Sequence, residues 1–80
     1  MPFYHIIVDW AEPLSEEAQF NRMCAPVERA LADMEHLIVG TTHLSTTRGR
    51  LTFQTEVAID VSDLEGVIVE GAIHLEVVAC

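Results

Sequence analysis

From Leu51 to Val61 the chain alternates between apolar and polar positions, with Leu51, Phe53, Val57, Ile59 and Val61 on one parity and Thr52, Gln54, Glu56 and Asp60 on the other. Successive side chains of a β-strand point to opposite faces, so this run predicts a strand with one face buried and the other free for water, a ligand or a partner. Residues 3–10 (Phe3-Tyr4-His5-Ile6-Ile7-Val8-Asp9-Trp10) predict a first strand. Its centre is apolar on both parities, which suits an interior position in a sheet. Glu12-Pro13-Leu14-Ser15 ends that strand, and Ser15 is placed to cap a helix whose first turn carries Glu16 and Glu17, where the helix dipole favours acids.

From there Phe20, Met23, Val27, Leu31, Met34 and Ile38 recur at three- and four-residue steps, the stripe of an amphipathic helix. Pro26 interrupts it and removes a backbone hydrogen bond, which predicts a kink, or a break into two short helices with Pro26 opening the second. Gly40 follows the stripe, and Thr41–Thr46 is rich in β-branched residues. Arg48-Gly49-Arg50 reads as a hairpin tip, with Gly49 free to take positive φ. Asp60–Gly66 is a polar connection with room for one helical turn, and Val67–Val78 reads as a long last strand in which Gly71 marks a bulge. The expected order is β-α-β-β-β over a single domain, residues 1–80. The expected fold class is α+β, an antiparallel sheet with one kinked or broken helix on one face. A ferredoxin-like split sheet without a full second helix is the nearest architecture.

Composition adds a reason for association. A chain of 80 residues buries a modest core, yet half of its residues are hydrophobic and its mean hydropathy is +0.29. Covering the surplus with a second copy is the economical reading, a homo-oligomer of two or more chains. The formal charge is −9, there is no lysine, and beyond Arg50 the chain carries acids and no Lys or Arg. Such a chain repels phosphate backbones, so no nucleic-acid partner is expected, whereas a basic protein fits. No segment approaches the roughly 20 apolar residues of a membrane span, and nothing at the N-terminus resembles a signal peptide. Cys24 and Cys80 form no disulfide framework, so the expected compartment is the reducing cytosol.

Candidate chemistry is sparse. His5, His43 and His74 lie on expected strands, and Asp9, Glu56 and Glu70 join them if the registers cooperate. Zinc, iron or copper accepts such ligands, but the spacing matches no ligand motif, and solvated histidines account for it. No metal or cofactor is expected. His36 fits the end of the helix, where the dipole favours a cation. Cys24 reads as a small buried hydrophobe and Cys80 as an exposed thiol. Arg48 and Arg50 form the cationic pair that would hold a carboxylate or phosphate as an anion-binding site.

Met1-Pro2, followed directly by the strand Phe3–Asp9 and a helix, resembles the tautomerase superfamily of small β-α-β oligomers. The resemblance covers roughly the first half of the chain. It implies an enzyme in which Pro2, freed as the N-terminal residue, acts as general acid/base. A secondary amine that opens a buried strand is suited to this, because desolvation and neighbouring cations lower its pKa toward working pH.

The residues themselves favour a different reading, a small acidic non-enzymatic domain that works by protein association. It self-associates through its sheet and presents an acidic face to a basic partner. The expected contact set is Glu56, Asp60, Glu70, His74 and Glu76, with Trp10 as an anchor. A tautomerase-like enzyme using Pro2 is the rival, and a small-ligand or metal-binding domain on the open sheet face is the third reading.

Overall fold

The computed structural model describes residues 2–80. Five main elements follow in the order β1 (Phe3–Trp10), α1 (Glu16–Ala30), β2 (His36–Ser45), β3 (Arg48–Thr55) and β4 (Ala72–Ala79), with a short 3₁₀ turn at Val61–Asp63 between the last two strands. The sheet order is β2-β3-β1-β4, and every neighbouring pair is antiparallel. The fold is therefore α+β, as the pattern predicts. Its strand order is that of a split β-α-β sheet, with the 3₁₀ turn and its flanking loop where a second helix would lie. β1 is an interior strand, as its two-sided apolar centre requires.

The core lies between the helix and one face of the sheet. β1 contributes Tyr4, Ile6, Val8 and Trp10, β3 contributes Leu51 and Phe53, and the helix contributes Met23 and Val27, all buried. The Tyr4 and Phe53 rings stack with centroids 5.3 Å apart. Leu64 and Val69, from the segment before β4, close the core beside Val77.

The helix runs as one element through Pro26, so the expected break into two short helices does not occur. Gln19, Met23 and Val27 are buried on both sides of the proline, so the packing of one face holds the turn that lacks a hydrogen bond. The Ser15 hydroxyl accepts from the Ala18 amide at 3.2 Å, which confirms the expected cap. At the other end the stripe overshoots. Helix α1 ends at Ala30 with Leu31 as its cap, and Ile38 belongs to β2. A longer helix would carry Asp33 and Glu35 into its C-terminal turn, where the dipole opposes acids. His36 thus opens β2 instead of ending the helix, and its Nδ1 lies 3.0 Å from the Met34 carbonyl.

The run that alternates from Leu51 to Val61 is a strand only as far as Thr55. Its two neighbours run out there: the Thr55 amide donates to the Pro2 carbonyl at 3.1 Å, and the Glu56 amide donates to the Glu35 carbonyl at 3.3 Å. The Thr55 hydroxyl donates to the Val57 carbonyl at 2.6 Å, and the Tyr4 hydroxyl accepts from the Ile59 amide at 2.9 Å, so the chain turns back over the core. Val57 is exposed as a result.

Two further boundaries move. The hairpin between β2 and β3 turns at Thr46-Thr47, so Arg48, Gly49 and Arg50 lie within β3 rather than at its tip. Gly49 is needed for space, not for positive φ: a Cβ there would stand 2.7 Å from Gln19 Oε1 and 3.0 Å from Met23 Cε. The last strand begins at Ala72 rather than at Val67, because Val69 folds into the core. Gly71 precedes it at φ +74°, and the register slip lies opposite, between Asp9 and Trp10.

Candidate functional site: the uncovered sheet face

The helix and the 3₁₀ segment cover one face of the sheet, and the other is left open. Strand pairing arranges the open face in rows. One row runs Ser45, Arg48, Asp9, His74; the next runs Thr42, Arg50, Ile7, Glu76; then Gly40, Thr52, His5, Val78; and last Leu37, Gln54, Phe3. Side-chain contacts follow these rows. Arg48 Nε lies 3.5 Å from Asp9 Oδ1, Arg50 Nη2 donates to Thr42 Oγ1 at 3.4 Å, and His5 Nδ1 lies 2.8 Å from Thr52 Oγ1.

The face is therefore amphipathic along the strands. Arg48, Arg50, Asp9, Glu76 and His74 occupy one end, while Phe3, Leu37 and Val78 stand exposed at the other, Leu37 by 60%. It carries balanced charge rather than an acidic stripe. Of the expected contact set, His74 and Glu76 sit on this face through β4. Glu56 and Asp60 leave the sheet because β3 ends at Thr55, and Glu70 lies in the turn before β4. Trp10 is buried in the core, and its Nε1–H donates to the Glu70 carbonyl at 3.0 Å, so its ring is not offered to a surface contact. The remaining acids, Glu16, Glu17, Glu28, Asp33, Glu35 and Glu65 among them, lie on the helix and the loops.

Arg48 and Arg50 stand side by side on the face, as an anion site would need, but Arg48 already faces Asp9 and the Nε of Arg50 is buried without a partner. The half-exposed Arg48–Asp9 pair contributes little stability, about 0.2–1 kcal/mol at most. A cleft at the opposite end of β2 and β3 is lined by Glu35, His36, Leu37, Gln54 and Glu56, and it is acidic.

Pro2 lies at that same end of the sheet. The two arginines of β3 pair with Asp9 and Ile7 of β1, so Arg50 is five residues along the strand from Pro2, roughly 17 Å at the rise of a β-strand. The residues that would make an amine at Pro2 less basic are thus far from it, and the nearer charges are the carboxylates of Glu35 and Glu56. His5 and His74 share the open face in different rows, and His43 pairs with Gly49 on the helix side. Among the described residues no three His, Cys, Asp or Glu side chains gather closely enough to hold a metal ion.

Two titrations are perturbed. Burial raises the Cys24 thiol above its ordinary range, and the nearby Glu28 carboxylate adds to this, which makes it a poor nucleophile. The Asp60 carboxyl is lowered because it accepts from the Ser62 amide at 3.0 Å while capping the 3₁₀ turn. The cap explains why an acid stands at that position. Sequence reasoning missed the His5–Thr52 and Arg50–Thr42 contacts, since they depend on a register that only the folded sheet defines. No helix among the described residues is long and apolar enough to cross a membrane. The chain matches no protein-family model, no curated protein and no solved structure.

Proposed function

We propose that this protein is a small non-enzymatic association domain of the cytosol that assembles with copies of itself through its sheet. The observation that carries the reading is the uncovered sheet, which exposes Phe3, Leu37 and Val78 on its face and Ile73 along its β4 edge, while the same sheet carries balanced charge. Apolar surface clustered beside compensated charge is what a surface buried between protein chains requires. The net charge of −9 resides elsewhere, on the helix and the loops. A sheet-to-sheet assembly therefore buries the neutral side and turns the acidic side outward, where it stays soluble and can meet a basic protein.

The acid–base reading on Pro2 gains nothing from the two β3 arginines, which lie far along the strand from it, and the ligand-binding reading rests on the cleft lined by Glu35, His36, Leu37, Gln54 and Glu56. Small-angle scattering tests the proposal. A single chain has a Cα radius of gyration of 11.7 Å, so an assembly at micromolar concentration must scatter with a clearly larger radius. A radius that stays at the single-chain value up to millimolar concentration sinks it.

A further inference from the structure

We infer that two copies join along the outer edge of β4, antiparallel and centred on Leu75, so that His74 of each chain faces Glu76 of the other. The inference rests on the self-association reading and adds an edge contact to it, which leaves the open face with Phe3 and Leu37 free for the sheet-to-sheet contact. β4 ends the sheet on one side, and among the described residues no strand pairs with its outer edge. The other edge strand, β2, is broken by register shifts at Ile38/Gly40 and His43/Ser45, which twist an edge and blunt it. β4 pairs in unbroken register with β1 from His74 to Ala79.

The direction of the backbone groups limits the choices. The Cys80 amide donates to the Phe3 carbonyl at 2.9 Å, toward β1. In an antiparallel ladder the direction alternates, so Leu75, Val77 and Ala79 point their N–H and C=O groups outward. A two-fold dimer must pair these odd positions with one another. Centring it on Glu76 sets that carboxylate against its own copy, a like-charge pair that destabilises a sheet. Centring it on Val77 sets Glu76 against Val78 and pairs only the end of the strand. Centring it on Leu75 pairs residues 72 to 78 and sets Glu76 against His74 of the second copy, twice.

That register has the only favourable charge pattern of the three. It also covers Ile73, which is 69% exposed in the single chain and faces Val77 of the second copy. On its own chain His74 lies beside Asp9, which Arg48 partly neutralises, with Glu76 two residues along the same face. In the dimer its imidazole stands between Asp9 and the Glu76 carboxylate of the second copy. The result is one continuous eight-stranded sheet closed by symmetry, with β2 as its two outer edges.

Exchange of the two charges is the test. His74 and Glu76 are both exposed, so neither substitution disturbs the core. Sedimentation is measured for all variants in one buffer at low ionic strength, where exposed charge pairs are least screened. His74→Glu and Glu76→Arg should each weaken the dimer roughly ten-fold, since two cross-strand pairs turn from attractive to repulsive. The double variant His74→Glu/Glu76→Arg restores opposite charges and should recover the wild-type dissociation constant to within about three-fold. An assembly unaffected by either single change, or a double variant as weak as the singles, overturns the β4 register and leaves self-association standing. A chain that is monomeric at every concentration removes the self-association reading itself.

Discussion

Gly49 shows how a residue's place in the sequence and its place in the structure can call for different reasons. Between two arginines it reads as a turn glycine, but it sits inside β3 beneath the helix, against Gln19 and Met23. Gln19 cannot retreat easily, because its Nε2 donates to the Ser45 carbonyl at 2.8 Å. Gly49→Ala should therefore destabilise the protein by about 1–3 kcal/mol, the usual cost of overpacking, as measured by urea denaturation. Gly40, where an added Cβ meets nothing within 4 Å, is the control, and Gly40→Ala should be neutral or gain up to about 1 kcal/mol. Asp60 gives a pH signature at the same scale. Its folded-state pKa lies below the ordinary carboxylate value, so its contribution to stability is present above that value and is lost as the pH falls through the folded pKa. In an NMR titration Asp60 should protonate below the ordinary aspartate value, and Ser62→Pro, which removes the donating amide, should raise it toward that value.

At the scale of elements, the period of each hydrophobic pattern reports its type well and its ends poorly. The helix stripe through Met23, Val27 and Leu31 and the alternation of Leu51 and Phe53 both mark buried residues correctly. The stripe carries on into Met34 and Ile38, and the alternation into Ile59 and Val61, because those side chains also pack on the core from a turn, a strand or a loop, whereas Val57 is exposed. Periodicity registers burial, whereas a strand ends where its partner ends, as β3 does opposite Pro2. The candidate site inherits this error: with six residues moved from strand to loop, Glu56 and Asp60 leave the open face, and Arg48 and Arg50 enter it as β3 starts earlier. Pro26 was legible as a defect but not as a tolerated one. Pro26→Ala would restore the amide that bonds the Arg22 carbonyl and should stabilise the protein by up to about 3 kcal/mol in thermal or urea unfolding, with no change in helix length by circular dichroism. A gain in helicity would mean that the helix is broken there after all.

For the whole molecule, the distribution of charge and apolar surface is the central observation. The helix side is acidic and capped by water-facing loops, while the sheet side is balanced in charge and apolar at one end. A chain of 80 residues with one covered face has little core to spare, and the proposed second copy on the sheet would extend the buried surface without adding net charge. The surplus of hydrophobic residues was legible in the sequence, and the location of the acids was not, since it depends on where the strands stop. The most direct test is the molar mass in solution, measured by light scattering over a dilution series from micromolar to millimolar. The chain mass is 8.9 kDa, and the account predicts a mass of at least twice this that falls toward the single-chain value on dilution. A mass of 8.9 kDa at every concentration would contradict it.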